Sequence, residues 1–202
     1  MVGERSEFES EVRELVARVL SSVLDGTGST ATAASTPASA PASAPPASGA
    51  ETIAIGADHG GFALKASLIT NLTENGWGVD DCGTHSVDAC DYPDYAHAVA
   101  RQVALGHAAW GIMIDGAGIG SAMVANKVPG VRAAACYDIS TARNSREHNR
   151  ANVLTLGAGL TGAGLAWQIV QEWLDTPWGG DRHLRRVALI NEIEEIYARS
   201  EA

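Results

Sequence analysis

Positive charge is scarce in this chain. Lys plus Arg number 14 against 24 Asp plus Glu, a formal net charge of −10 over 202 residues. Nothing global attracts phosphate backbones, which excludes a general nucleic-acid binder. Cysteine is also sparse. Cys82, Cys90 and Cys136 cannot all pair with one another, and their spacing matches neither CxxC nor a zinc pattern. Reduced thiols in a cytosol are the expectation. No apolar run approaches the roughly 18–20 residues that span a bilayer, so no membrane partner is expected. The N-terminus carries acids rather than a charged-then-apolar signal, which argues for a cytoplasmic location. The six histidines form no HxH or HExxH, and no DxDxDG loop occurs, so no metal set is visible. No repeat of 20–50 residues is present. What remains is ample core material: 46% of residues are hydrophobic and 19% charged, which excludes a wholly disordered chain.

Composition divides the chain into three parts. Residues 1–25 read as a short amphipathic helix. Phe8, Val12, Leu15, Val16, Val19, Leu20 and Val23 recur at spacings of three and four, with Ser6 and Glu9 as a capping box and Gly26 as a stop. A lone helix of about 20 residues is marginal in water, so its stripe needs a partner. Residues 26–50 contain only Gly, Ala, Ser, Thr and Pro, including four of the seven prolines. Such a segment has nothing large to bury and reads as a linker. Residues 51–202 change pattern again. Strands are expected at Thr52–Gly56, Gly78–Asp81, Trp110–Ile114, Val131–Cys136 and Val153–Leu156. Helices are expected at Phe62–Asn75, Asp94–Leu105, Gly120–Asn126, Ile139–Asn149, Thr161–Leu174 and Arg182–Ala198. Strands separated by helices argue for βαβ units: an α/β fold with a five-stranded parallel sheet and right-handed crossovers. Sites in such sheets form where strands end and helices begin.

Chemistry-bearing residues sit there. The first strand runs into Asp58-His59-Gly60-Gly61. This pair could bind a polyol, or be a helix-capping Asp beside a surface His. The third strand runs into Asp115-Gly116-Ala117-Gly118-Ile119-Gly120-Ser121. Glycines let successive N–H groups turn inward around a phosphate or a developing oxyanion; the alternative is a tight turn with no ligand. The run is GxGxG rather than GxGxxG, and it follows the third strand. A dinucleotide reading therefore rests only on Asp138, about 20 residues on, which serves equally as a helix start. His148 and Asn149 close a helix, where a His often only complements the dipole. Arg182, Arg185 and Arg186 share one helix face. Seven of the twelve arginines lie between Arg132 and Arg186, a local excess that suits a phosphate; a solvated face is the bland reading.

Taken in order, several segments resemble the type-B ribose-5-phosphate isomerase family, which includes galactose-6-phosphate isomerase subunits. They are Ile55 to Gly61, Asp91-Tyr92-Pro93, Gly116 to Gly120, Ala125-Asn126-Lys127, Gly130 to Ala133, Arg146 to Asn149 and Arg182 to Arg186. The resemblance covers about Thr52 to Tyr197. It implies a Rossmann-like αβα sandwich and a homodimer with shared active sites. It also implies aldose–ketose isomerisation of a sugar phosphate with no metal or other cofactor. Position by position, it implies that Asp58 and His59 contact the sugar or its phosphate and that Tyr92 lines the pocket. Gly116, Gly118 and Gly120 would belong to an anion hole for the enediolate. His148 would open the furanose ring beside Asn149, and Arg182 and Arg186 would grip the phosphate. Such chemistry needs a base for the C2 proton, stabilisation of the enediolate and an acid.

The chain departs from that pattern. Asp115 stands where many relatives have a cysteine base, Ser121 where others have a glutamate, and Ala117 where Thr or Ser is usual. Gly157-Ala158-Gly159 stands where a phosphate-binding Arg is common. Asp115 becomes the expected base, with a turn cap as the alternative. A tetrose or hexose phosphate, a catalytically weak sugar-phosphate binder and an NAD-dependent oxidoreductase are the competing functions. The N-terminal helix and its linker resemble the encapsulation peptides of bacterial microcompartment cargo. That resemblance implies shell proteins as partners of residues 1–25 and a place inside such a compartment.

Overall fold

A computed structural model describes residues 52–198. The helix expected over residues 1–25 and the linker over 26–50 lie outside that range. The described elements run β1 (Thr52–Ala57), α1 (Phe62–Glu74), β2 (Gly78–Asp81), α2 (Tyr92–Ala104), β3 (Trp110–Asp115) and α3 (Ile119–Ala125). They continue through β4 (Ala133–Ala135), α4 (Ile139–Asn149), β5 (Val153–Gly157), α5 (Ala163–Asp175) and α6 (Asp181–Ala198). The five strands form one sheet in the order β2-β1-β3-β5-β4, and every pairing is parallel.

Strands β1, β3 and β5 are the apolar runs TIAIGA, WGIMID and VLTLG, and they are buried along nearly their whole length. That continuity is what a sheet covered on both faces requires. One face packs Ile53, Ile55, Ile112, Ile114, Leu154 and Leu156 against Leu68 and Leu72 of α1 and Ile169 and Trp173 of α5. The other packs the smaller Ala54 and Met113 against Val99, Ala100 and Val103 of α2. Each large side chain so buried contributes about 1.5–3 kcal/mol.

Boundaries differ from the sequence reading for local reasons. Helix α2 starts at Tyr92, two residues before the expected Asp94, because Pro93 fits the first turn, where no N–H is needed. Strand β4 shrinks from the expected Val131–Cys136 to three alanines. Val131 N–H turns back to Val128 O at 3.1 Å, and Arg132 N–H goes to Asn152 Oδ1 at 2.7 Å, so neither joins the ladder. Helix α5 starts at Ala163 rather than Thr161, because the N–H groups of Leu160 and Thr161 both turn to Gly157 O.

Strand order reverses at β1 and β3, whose neighbours β2 and β5 lie on opposite sides. Crevices form at the carboxyl ends of such strands. The loops carrying Asp58 and Asp115 open there side by side, joined by the Asp58 N–H to Ile114 O bond of 3.1 Å.

Candidate active site

The loop after β3 is organised by the side chain that precedes it. Asp115 Oδ1 accepts the N–H of Ala117 at 2.7 Å and that of Gly118. Its Oδ2 accepts the N–H of Ser121 at 3.0 Å and the Ser121 hydroxyl. A carboxylate has about four lone-pair sites, and four donors meet this one. Asp115 therefore caps the loop that it precedes. Gly118 sits at φ +78°, and a Cβ there would come within 2.9 Å of the Leu156 carbonyl carbon, so glycine is required. The Gly118 carbonyl accepts the Thr155 hydroxyl at 2.7 Å. Thr155 and Ser121 are fully buried and pin the loop from either side. Sequence reading missed both roles. The signal for Thr155 was a lone hydroxyl in the middle of an apolar strand.

This geometry corrects the expected anion hole in one respect. The N–H groups of Ala117 and Gly118 are turned onto Asp115 rather than toward an outside anion. Beside the loop, Asp58 is buried and its Oδ1 accepts the Gly61 N–H at 2.9 Å, also a turn cap. His59 is exposed, with Nδ1 3.3 Å from the Cys90 backbone nitrogen. The Tyr92 ring covers Gly120 so closely that a Cβ there would lie 2.6 Å from its Cζ. Asp58, His59, Tyr92, Asp115, Gly116, Gly118 and Gly120 thus gather at the carboxyl end of the sheet.

His148 and Asn149 occupy the last turn of α4, which runs back from the carboxyl end and leads into the first residue of β5. Arg146 anchors that turn. It is buried, its guanidinium carbon lies 3.9 Å from the Trp110 ring centroid and 5.0 Å from that of Trp173, and it donates to Ala151 O and Trp173 O. The segment before α6 docks on the same turn: Gly179 N–H reaches Glu147 O at 2.9 Å, and a Cβ on Gly179 would come within 2.7 Å of that oxygen. This close approach stacks His183 on His148, with ring centroids 4.2 Å apart and planes at 15°. Arg182, Arg185 and Arg186 are exposed on the first turns of α6.

The candidates therefore fall into two groups at opposite ends of the sheet. Asp115 pairs with Gly157, the last residue of β5, whereas His148 and Asn149 lie just before its first residue, Val153. Four strand steps between them span roughly 13 Å, with loop and cap residues in addition. A single chain does not bring the two groups together.

Burial pushes the Cys82 thiol up to about 11, with Asp80 and Asp81 adding to the shift. Burial also pushes Cys136 up to about 11, against hydrogen bonds to Ser145 and Thr141. Neither is a nucleophile near neutral pH. Among the described residues, no group of three or more His, Cys, Asp or Glu could hold a metal ion, and no helix is long and apolar enough to cross a membrane.

A parallel sheet with its switch point at β1 and β3, and a glycine loop at that point, defines an α/β domain of the kind that places small-ligand sites at this crevice. Residues 53–190 match the Ribose/Galactose Isomerase family, and the chain belongs to it as an isomerase of that type. It is 45% identical over 143 residues to the ribose-5-phosphate isomerase B of Escherichia coli K12, covering 71% of this chain and 96% of that one. The structure of Clostridium thermocellum ribose-5-phosphate isomerase B superposes with a TM-score of 0.72 at 47% identity, over 72% of this chain and 99% of that one. The Mycoplasma genitalium ribose-5-phosphate isomerase B, solved with bound ribulose 5-phosphate, gives a TM-score of 0.70 at 38% identity, over 71% and 96%.

Proposed function

We propose that the chain interconverts ribose 5-phosphate and ribulose 5-phosphate through an enediolate, as a homodimer with shared sites. The observation that carries this reading is the likeness to ribose-5-phosphate isomerase B across 96% of that relative, together with the glycine loop after β3 and the arginine cluster on α6. In this reading His148 donates a proton to the furanose ring oxygen as the anomeric hydroxyl gives up its own, which opens the ring to the aldehyde. Asp115 takes the C2 proton, the developing charge on O1 is met by N–H groups of the glycine run at Gly116 and Gly120, a proton passes from O2 to O1, and the proton held by Asp115 returns at C1. Arg182 and Arg186 hold the phosphate, Asn149, Asp58 and His59 contact the sugar, and Tyr92 lines the pocket. No step needs a metal.

In this reading the base is Asp115 Oδ2. Its donors include the Ser121 hydroxyl, which can rotate away, whereas both donors of Oδ1 are backbone N–H groups that cannot.

Two features support the dimer. The groups that must meet on one substrate lie at opposite ends of one chain, and a two-fold pairing supplies each end with its complement. Large apolar side chains also stand exposed on both parts: Ile119 and Met123 on α3, and Leu184, Ile190 and Ile193 on α6.

A second reading, a tetrose or hexose phosphate isomerase, draws on Gly159. It packs toward the Gly116 carbonyl and carries no arginine for the phosphate. Isomerisation followed over a panel of tetrose, pentose and hexose phosphates decides between them. Highest kcat/KM on ribose 5-phosphate supports the first reading, and highest kcat/KM elsewhere sinks it.

Residues 1–25 complete the proposal as a docking helix for microcompartment shell proteins, on the strength of their apolar stripe and 25-residue linker. A chain lacking residues 1–50 should keep its isomerase activity and fail to co-purify with shell proteins. Residues 1–25 fused to a fluorescent protein should be recruited to shells. Loss of the dimer on truncation, or a fused helix that ignores shells, overturns that part.

A further inference from the structure

We propose that His183 is a positioning residue that aligns both His148 and Arg182, acting as a neutral imidazole between them. The roles of those two residues rest on the isomerase reading above; the geometry of the three does not.

The arrangement starts with the backbone. The Gly179 contact with Glu147 O fixes the segment entering α6, and the His183 N–H returns to Gly180 O at 2.9 Å. This turn delivers the imidazole flat against His148, 35 positions earlier in the chain. The Trp178 ring approaches the His183 ring edge-on, with centroids 6.2 Å apart. His183 is only 5% exposed. A ring so enclosed cannot itself meet a sugar phosphate, but it fixes the plane of the more accessible His148 ring.

The hydrogen bond specifies the protonation state. Arg182 Nε donates to His183 Nε2 at 2.7 Å. Arginine offers only donors, so Nε2 must hold a lone pair and the ring proton must sit on Nδ1. The surroundings agree. Burial, then His148, Arg182 and Arg186, hold the His183 pKa below its ordinary value, with Glu147 opposing them. His148 is placed differently: Asn144 lies 2.8 Å from its Nδ1, and Glu147 Oε1 lies 3.6 Å from its Nε2.

Two consequences follow. Arg182 is exposed and commits Nε to His183, which leaves its two terminal nitrogens as the donors for a phosphate. His148 keeps one ring orientation, which a general acid needs if it is to meet the ring oxygen at hydrogen-bond distance. The same imidazole thereby ties acid to anchor.

Three measurements test this on the full-length protein. Imidazole 15N spectra taken above the ordinary histidine pKa, at about pH 7.5, should show His183 as the Nδ1–H tautomer. His183→Phe keeps a stacking ring and removes the acceptor. It should weaken inorganic phosphate binding and raise KM for ribose 5-phosphate about tenfold, the scale of one hydrogen bond to a charged group, with a smaller fall in kcat. His183→Ala removes both and should lower kcat about tenfold as well. An Nε2–H tautomer, or a His183→Phe protein with unchanged phosphate affinity, overturns the proposal. A wild-type protein that binds phosphate in a His183-dependent way yet isomerises no sugar phosphate would sink the isomerase reading and leave this one standing.

Discussion

Asp115 has two jobs open to it, and kinetics separates them. As base, its loss should appear in kcat; as loop cap, its loss should appear in KM and stability together. We expect Asp115→Asn to lower kcat by on the order of 10² or more with KM within a few-fold. Ser121→Ala, which frees Oδ2 of one donor, should retain activity within about tenfold of the wild type. A kcat for Asp115→Asn near the wild-type value, with a raised KM and a lower melting temperature, would leave Asp115 as a cap alone. His183 makes a separate prediction. Its folded-state pKa lies below the ordinary 6.5. As pH falls, the unfolded chain takes up that proton first. The stability it contributes is therefore complete above about 6.5 and is lost as the pH drops toward the folded value. Urea midpoints should decline from about pH 7 to 5.5, and less steeply for His183→Phe.

At the level of elements, the end of α4 is held by a cation that contacts no substrate. Arg146 lies between two indoles and donates to two carbonyls from different elements, Ala151 before β5 and Trp173 in α5. Truncation leaves those carbonyls short of a donor and opens space between the rings. Arg146→Ala should therefore cost about 3 kcal/mol in urea denaturation. It should also weaken activity through His148, two residues on. Lysine cannot reproduce a planar fork that stacks and donates at once, so Arg146→Lys should recover only part of the loss. An unfolding free energy for Arg146→Ala equal to the wild type would show that the stack contributes nothing net. Sequence reading placed Arg146 in a motif without a role, because the two tryptophans that define its role lie 36 residues before it and 27 after.

Across the whole molecule the question is how two ends of one sheet serve one substrate. If sites are shared between subunits, a dimer of Asp115→Asn with Arg186→Ala carries one site with both defects and one with neither. Mixing the two inactive proteins after reversible dissociation should restore about a quarter of wild-type activity, since half the dimers are mixed and each holds one intact site. No recovery, with mixed dimers shown to form, would place both groups in one chain's site.

The amino-acid sequence by itself determined the layout of the catalytic domain. Apolar runs of five or six residues between amphipathic stretches dictate a parallel sheet, because only burial on both faces accommodates them. Asp58, Asp115 and the Gly116 to Gly120 run mark the strand ends, because a carboxylate or a φ-positive glycine such as Gly118 has no place in the middle of such strands. Those signals are local, carried by neighbours along the chain, and so could be read without coordinates. Only the tertiary structure decided what the side chains at those positions do. It turned Asp115 inward onto Ala117, Gly118 and Ser121. It stacked His183 on His148 and set the Asp115 loop and the His148 turn at opposite ends of the sheet. A hydrogen bond or a ring stack is made over a few ångströms of space, and space of that kind is created by the packing of helices onto the sheet rather than by order along the chain.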